Sequence, residues 1–435
     1  MAYHRPVPPV DRRAELTPPI RRLLLVRLLR SIAQGALTVD FALYLLALGW
    51  SGTAIGLVLT GSGLASTAFA LAVGPLSDRI GRRRLLIVYQ GLSFATAVGA
   101  VLTASPWVLV PAAVLGGFGR GANGTAGAFA PAEQAWLAEM TTPVSRAWIY
   151  GLNSALGFFG MAVGALLAVA PTLLGAWLPG PLAYRPLFGL AALVALLGGL
   201  VLARTEERFH RPGRLEDGVE TAGVRRAENR VLVKLVAVNA LNGLAVGLTG
   251  PLISYWFAVR FGLGPDRIAP VIAAAFFVTG LAAVAGGRLA EGVGVVSAVV
   301  WSRVAGIICL LAIPLAPSYP IAAAAYVGRS VFSRGTVGLR QALVVGLVRD
   351  ERRGMAVGVN NASMQLPQSV GPTVAGSLFE AGQLGLPFYL AAALQGVYLV
   401  LYARVFRPYE PPTRRAEAET AAAVEASADA GGPDP

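Results

Sequence analysis

Twelve long apolar segments, separated by short polar or proline- and glycine-containing gaps, dominate this sequence. They cover residues 23–49, 53–76, 85–104, 107–137, 147–170, 184–203, 231–259, 268–289, 294–315, 319–347, 354–381 and 384–405. One helix needs about 20 apolar residues to cross a bilayer. Of the residues, 55% are apolar and 14% charged, against roughly 45–50% and 25% in soluble domains. The pattern predicts an all-α polytopic membrane protein with twelve transmembrane helices, and it argues against a soluble enzyme.

Arginine residues are distributed unevenly among the gaps. The N-terminal arm and the gaps after the second, sixth and tenth segments carry them in clusters, whereas the gaps after odd-numbered segments carry few or none. Because cytoplasmic loops are enriched in Lys and Arg, we expect both termini to be cytoplasmic and the chain to lie in the cell membrane, in contact with lipids. The net charge is +13, but basic residues spread over short gaps do not form a nucleic-acid surface.

The longest polar stretch inside the chain, residues 204–230, falls between the sixth and seventh apolar segments. It predicts a cytoplasmic linker between two six-helix bundles, residues 23–203 and 231–407. Residues 1–22 form a proline-containing cytoplasmic arm without the pattern of a cleaved signal peptide, so we expect the first apolar segment to be retained. Residues 408–435, rich in Ala, Glu, Pro and Asp, predict a disordered cytoplasmic tail.

Two short patterns recur in the two halves of the sequence. Residues 74–81 (GPLSDRIG) and 287–294 (GRLAEGVG) share G-x-L-x-[DE]-x-[IV]-G at an offset of 213. At an offset of 207, Arg146, Gly151, Asn153 and Gly164 recur as Arg353, Gly358, Asn360 and Gly371. Six helices repeated in parallel are typical of one large class of secondary transporters.

Residues 74–83 (GPLSDRIGRR) resemble the signature G-x-x-x-D-R-x-G-R-R of the major facilitator superfamily and lie in the expected gap. The resemblance covers about residues 23–405 and implies that family's fold, two pseudo-symmetric six-helix bundles. Residues 120–128 begin R-x-x-x-G, which is similar to a family pattern associated with proton coupling. The chain resembles the drug and metabolite efflux branch, although Ala165 stands where the fifth-helix antiporter pattern has proline.

The signature gap is a candidate gate. A carboxylate at Asp78 can interact with the positive end of a facing helix, and Arg79, Arg82 and Arg83 can bind carboxylates or lipid phosphates. The alternative is that the arginines only anchor the topology. Glu291 occupies the repeat position of Asp78.

A second candidate gate joins the two halves. By the 207-residue offset, Arg340 is the repeat counterpart of Glu133. Opposite charges at symmetry-related positions can form an ion pair between the halves. The alternative is two independent residues at the membrane interface.

Asp40 is the most informative single residue, because it lies midway along the first apolar segment with Tyr44 one turn away. A charge at the bilayer centre costs about 2.5–3.5 kcal/mol, so we expect Asp40 to face a cavity or a partner. It binds a proton or substrate, or it is permanently paired with an arginine. Arg120, with Asn123 beside it, faces the same cost. Substrate contact, proton coupling and an ion pair with Asp40 are all open for Arg120.

Several further polar residues lie inside apolar segments and are candidates to line a cavity. They are Asn239, Asn242, Arg329, Asn360, Asn361 and Gln365. The alternative for the amides is hydrogen bonding between helices.

The sequence predicts a secondary transporter that works by alternating access. No nucleotide-binding loop G-x-x-x-x-G-K-[ST] occurs and both histidines are peripheral, so we expect no cofactor, metal site or enzyme activity. The favoured function is proton-coupled efflux of a drug-like or amphipathic metabolite by a monomer. Proton-coupled uptake of a nutrient or organic anion is the alternative, and a non-transporting receptor or membrane enzyme a remote one.

Overall fold

The computed structural model describes residues 16–119, 130–141, 143–207, 222–293, 295–334 and 353–407. Within these ranges the regular secondary structure is helical. The α-helices are α1 (Pro18–Ala47), α2 (Gly52–Ile80), α3 (Arg82–Leu102), α4 (Pro106–Gly116), α5 (Ala130–Met140), α6 (Pro143–Leu167), α7 (Ala170–Leu174), α8 (Arg185–Ala203), α9 (Ala222–Thr249), α10 (Ile253–Phe261), α11 (Pro265–Val293), α12 (Val295–Leu315), α13 (Tyr319–Arg334), α14 (Arg353–Glu380) and α15 (Leu386–Phe406). A 3-10 helix, Gly180–Tyr184, precedes α8.

Eight stretches among the described residues are long and apolar enough to cross a membrane. They are Gly52–Val73, Arg82–Leu102, Trp148–Leu174, Gly180–Ala203, Glu228–Phe261, Pro265–Ala282, Val296–Leu315 and Leu386–Phe406. Many leucines and valines on these helices are exposed, and Trp107 and Trp177 are 89% and 83% exposed. Such a surface suits lipid rather than water. The predicted fold class, an all-α polytopic membrane protein, is confirmed, although the count of twelve helices includes residues outside the described ranges.

Two of the predicted segments are interrupted. The fourth, 107–137, is described as α4 and α5, because α4 ends at Gly117, whose φ of 68° lies in the left-handed region that glycine tolerates. The seventh, 231–259, is divided at Gly250 and Pro251 into α9 and α10, since proline cannot donate the backbone hydrogen bond of a continuing helix.

The first and fifth predicted segments of each half pack closely against each other, α1 with α6 and α9 with α14. A Cβ atom on Gly164 would overlap the Ile32 carbonyl oxygen of α1, and one on Gly371 would overlap the backbone of Gly247 in α9. Gly164 and Gly371 are related by the 207-residue offset. The repeat in the sequence therefore corresponds to a repeated helix contact in the structure, in which small residues allow the backbones to approach.

Helix α1 begins and α2 ends at the same end of the bundle, which we call the basic end. The end where α1 leads into α2 is called the opposite end. Helices α1–α8 are termed the first half and α9–α15 the second half. The predicted disordered tail, most of the N-terminal arm and most of the linker lie outside the described residues, so the predicted domain boundaries stay predictions.

Candidate functional site

Asp40 lies in α1, seven residues before the helix ends, and is 1% exposed. Apolar aromatic rings surround this part of the helix: Phe41 contacts Phe118 at a centroid distance of 5.7 Å, and Tyr44 contacts Phe188 at 5.2 Å. Among the described residues, neither carboxylate oxygen of Asp40 has a hydrogen-bond partner. A carboxylate in such surroundings is costly to keep charged, because nothing replaces the water it has lost.

Tyr44, the predicted neighbour of Asp40, is also buried, with its ring 5.8 Å from that of Tyr184. Tyr184 interacts electrostatically with Asp40, and Arg185 interacts with the Tyr44 side chain. The turn into α8 thus brings Tyr184 near Asp40 and Arg185 near Tyr44, and the sequence analysis included neither residue. Their signal was weak, because Tyr184 and Arg185 are the first two residues of the sixth predicted segment, where polar side chains are common at a membrane surface.

Arg120 and Asn123, the other predicted coupling residues, lie outside the described residues, so their relation to Asp40 stays a prediction. The chain leading to them does approach α1. Gly119 has a φ of 70°, and a Cβ atom there would lie 2.8 Å from Leu59 Cδ2 and 3.0 Å from Phe41 Cδ1. Glycine is required at this position for both backbone conformation and space.

A buried ion pair that the sequence analysis missed lies nearer the basic end. Arg30 of α1 donates to the carboxylate of Glu133 in α5, and both side chains are buried. Arg27, one turn earlier, is 3% exposed and interacts electrostatically with both. The sequence did contain a signal for this pair. Arg27 and Arg30 lie inside the first apolar segment, where a charged side chain needs a cavity or a partner, as was argued for Asp40.

The described contacts of the signature gap lie within the first half. Arg82 forms an ion pair with Glu139 of α5. The backbone N–H groups of Arg82 and Arg83 donate to the carboxylate of Glu207, at 2.8 and 3.0 Å. This carboxylate satisfies backbone donors at the start of α3, where helices favour negative charge. The gap therefore connects α3, α5 and the end of α8.

The remaining predicted gating residues are only partly described. Arg79 is exposed. The side chains of Asp78 and Glu291, and Arg340 as a whole, lie outside what the structure describes. Glu133 binds Arg30 of its own half, as shown above, and the proposed pairing with Arg340 stays a prediction.

The predicted amides of the second half connect α9 with α14. The Asn239 Nδ2 donates to Asn360 Oδ1 at 2.9 Å and to Ser363 Oγ at 3.1 Å. The Asn242 Nδ2 lies 3.5 Å from the sulfur of Met364. These contacts favour the alternative of hydrogen bonds between helices for Asn239, Asn242 and Asn360.

The other three cavity candidates have different surroundings. Asn361 is exposed and Gln365 is half-buried. Arg329 is buried in α13, and its Nη2 donates to Thr249 Oγ1 at the end of α9, at 2.7 Å. Arg329 therefore connects α13 to the break between α9 and α10.

The two halves contact each other at the opposite end through α2 and α14. A Cβ atom on Gly56 would overlap the carbonyl oxygen of Pro372, so the two backbones touch there. Thr60 and Thr373 share a hydrogen bond of 2.7 Å between their hydroxyl oxygens. At the start of α2, the Thr53 N–H donates to Glu380 Oε2 at 3.0 Å. Small residues, a hydroxyl pair and a helix-capping carboxylate thus hold this interface together.

Comparisons with known proteins agree with this architecture. The family model described as Major Facilitator Superfamily matches residues 23–234 and 235–430. The chain is 23% identical over 390 residues to the quinolone resistance protein NorA of Staphylococcus aureus (strain MRSA252), covering 84% of this chain and 91% of NorA. It is 31% identical to the inner membrane transport protein YajR of Escherichia coli (strain K12) over 150 residues, which is 34% of this chain and only 30% of YajR.

Solved structures show the same fold. A mutant of the nucleoside transporter NupG superposes with a TM-score of 0.71 at 12% identity, over 89% of this chain and all of the other. The inward-open xylose transporter XylE from E. coli gives 0.70 at 14% identity, over 91% and 97%. Because the family model covers nearly the whole chain, this multi-pass membrane protein belongs to the major facilitator superfamily, whose members are transporters of small molecules rather than enzymes.

Proposed function

We propose that this transporter exports a drug-like or amphipathic metabolite in exchange for inward-moving protons. The observation that carries the proposal is Asp40, which is 1% exposed and has no hydrogen-bond partner among the described residues. A carboxyl group without a basic partner changes its charge only by taking up or releasing a proton. Asp40 is therefore suited to carry the coupling proton.

The direction of transport is supported by the similarity to NorA, a quinolone resistance protein, over 84% of the chain. Alternating access is supported by the contact between α2 and α14, which closes the opposite end with small residues, a hydroxyl pair and one exposed carboxylate that can separate. In this proposal the two halves rock about the central site. The predicted tuning of Asp40 by Arg120 belongs to the same proposal.

Proton-coupled uptake remains the second candidate. The D-xylose transporter of Levilactobacillus brevis is 29% identical over 168 residues, and xylose and nucleoside transporters are among the similar structures. Counterflow in proteoliposomes with labelled quinolone, D-xylose and nucleoside separates the candidates by substrate. An imposed pH gradient then gives the direction, because an antiporter accumulates substrate on the acidic side and a symporter on the alkaline side.

The test of the coupling role is Asp40→Asn, which keeps the shape of the side chain but fixes it in a neutral form. We expect substrate accumulation driven by a pH gradient to fall to background, whereas counterflow without net proton movement persists. Persisting counterflow also shows that the variant is folded. Undiminished gradient-driven accumulation by Asp40→Asn would contradict the proposal.

Asp266→Asn is the matched control. Asp266 lies near the start of α11 with a partly exposed side chain, and its carboxylate Oδ2 lies 3.7 Å from Arg267 Nε. We expect this variant to retain gradient-driven transport, since a solvated carboxylate at the membrane surface is not required for coupling.

The same proposal includes the topology and the assembly. Both termini and the linker at residues 204–230 are placed in the cytoplasm on the basis of the arginine clusters, so the basic end is the cytoplasmic end. The transporter is proposed to act as a monomer with two six-helix bundles, 23–203 and 231–407. Labelling of single cysteines from either side of the membrane tests the orientation.

A further inference from the structure

We infer that the first half contains a binding site for a small anionic group, a carboxylate above all, separate from Asp40. The site is a cavity of about 70 Å³ enclosed by α1, α2, α3, α4 and α8, several times the volume that a single water needs. Its polar lining consists of Arg30, Gln34, Ser66, Tyr89, Gln90 and Ser93. The anionic group would belong to the transported molecule, so the inference rests on the proposed function.

The cavity is lined by buried polar atoms that lack partners. Arg30 Nε, Gln34 Oε1 and Gln90 Nε2 make no hydrogen bond within the part of the chain that the structure describes. Arg30 and Gln90 are 7% and 4% exposed. Leaving a buried donor unsatisfied costs about 1–3 kcal/mol, and more when it is charged. A ligand that accepts from Arg30 removes part of this cost.

The charge of the surrounding cluster favours an anion. Two guanidinium groups, Arg27 and Arg30, share one carboxylate, that of Glu133. Arg27 Nε and Nη1 have no hydrogen-bond partner among the described residues. The cluster therefore carries one uncompensated positive charge away from water, which is expensive in a membrane. A carboxylate bound beside Arg30 balances it, and planar guanidinium groups suit carboxylates well.

Two glycines hold the cationic and amide side chains in place. A Cβ atom on Gly157 of α6 would lie 2.6 Å from Arg27 Nη2, and one on Gly198 of α8 would overlap Gln90 Nε2. The side chains of Arg27 and Gln90 thus occupy space that any residue larger than glycine at positions 157 and 198 would need. The site is preorganised, which reduces the entropy lost on binding.

The site is distinct from the proposed coupling residue. Arg30 and Asp40 are ten residues apart on α1, or about 15 Å along the helix. Asp40 lies among aromatic rings near the opposite end, whereas the Arg30–Glu133 pair also lines a second, smaller cavity toward the basic end. Anion binding and proton exchange can therefore be measured independently.

The test uses the purified full chain in detergent, with sodium acetate replacing sodium chloride at constant ionic strength. Acetamide serves as the neutral analogue. We expect acetate to raise the thermal unfolding midpoint in a saturable manner and acetamide to leave it unchanged. Equal effects of acetate and acetamide, or no effect of acetate, would overturn the inference.

Two variants sharpen the test. Arg27→Met removes the uncompensated charge and is expected to weaken acetate binding about tenfold, whereas Glu133→Gln removes the competing carboxylate and is expected to strengthen it about tenfold. Should Arg27→Met fail to fold, Gln90→Met decides, because it removes an amide from the cavity and keeps the Arg30–Glu133 pair; unchanged acetate affinity of this variant would overturn the inference. Unchanged or weaker binding by Glu133→Gln would overturn the inference.

Arg260→Met is the control for loss of an arginine, since Arg260 is exposed and lies over the Phe261 ring near the opposite end. We expect its acetate affinity to equal that of the wild type. The measurement needs no proton gradient and no transport. Failure of acetate binding leaves proton-coupled efflux standing, and failure of Asp40→Asn to abolish coupling leaves the anion site standing.

Discussion

The two ends of helix α2 make contacts of opposite kinds. At the opposite end, α2 touches α14 of the other half through backbone, as at Gly56 and Pro372, and through the hydroxyl pair of Thr60 and Thr373. At the basic end, the charged side chain that follows α2, Arg82, is paired with Glu139 of the same half. The contact between halves is thus largely uncharged, whereas the strong charged contact at the basic end stays inside one half.

This difference indicates which contacts can separate during a transport cycle. Separating small, uncharged surfaces breaks van der Waals contacts and one hydroxyl hydrogen bond, each of which is worth little on its own. Separating a buried ion pair such as Arg30–Glu133 leaves a desolvated charge and costs more. A transporter that rocks its halves is therefore expected to use the first kind of contact between halves and the second kind within each half.

The largest expected effect comes from locking the contact between α2 and α14. In a Cys309→Ala background, which removes the sole natural cysteine, Thr60→Cys with Thr373→Cys is expected to form a disulfide, because the two hydroxyl oxygens are 2.7 Å apart. Oxidation should abolish transport in proteoliposomes, and a reductant should restore it.

Each single cysteine variant is the control for this cross-link and is expected to transport equally before and after oxidation. If the oxidised double variant transports at the wild-type rate, α2 and α14 do not have to separate at this end. The comparison between the two ends would then have no bearing on the cycle.

The next largest effect is expected for Gly56→Val. The added side chain would overlap the Pro372 carbonyl oxygen, so the opposite end closes less completely. We expect the transport rate to fall about tenfold, equivalent to about 1.4 kcal/mol, and a cysteine label near Gly52 to react faster from that side of the membrane.

Gly91→Val provides a matched control, because Gly91 is also inside a helix but a Cβ atom there meets nothing within 4 Å. Its transport should stay within twofold of the wild type. Equal losses in both glycine variants would show that helix propensity, rather than the contact between the halves, accounts for the effect.

The fold was largely predictable from the sequence because the bilayer imposes a simple rule on segment length and polarity. The ends of α8 and α12 agree with the predicted segments within one residue at each end. The break after α4 was not predicted, since it depends on Gly117 and Gly119 adopting left-handed conformations. The sequence of an apolar, glycine-rich stretch does not show whether the helix ends there or continues. Pro251 gave a stronger signal for the break after α9.

The candidate site was only partly predictable. Asp40 was identified because a lone carboxylate in an apolar segment has few explanations. It is buried, and its proton-binding role stays a prediction. Glu133 was identified as a gating residue, but its ion pair with Arg30 of the same half was not predicted, since sequence symmetry does not show contacts within one half. The closeness of Tyr184 to Asp40 depends on how α8 packs against α1, which no local pattern records.

A smaller effect is expected for Glu380→Gln. Glu380 is exposed and accepts a hydrogen bond from the Thr53 N–H at the start of α2. Glutamine keeps an acceptor but loses the charge that favours a helix N-terminus, which is worth about 0.3–1 kcal/mol. We expect the transport rate to change by about two- to fivefold, with label access at the opposite end increased. Unchanged label access would show that the carboxylate caps α2 without holding the halves together.

The smallest effect is expected at the basic end, for Glu139→Gln. This variant removes the ion pair with Arg82 while leaving Arg82 itself in place, and an ion pair with one partly exposed partner contributes about 0–1 kcal/mol. Transport should fall less than twofold, as in the exposed control Glu206→Gln. Arg82→Met then separates two roles. This variant also removes the hydrogen bond from Arg82 Nη1 to the Ala135 carbonyl oxygen. A loss no larger than that of Glu139→Gln would contradict a gating role of Arg82, whereas a much larger loss is what the gating prediction requires.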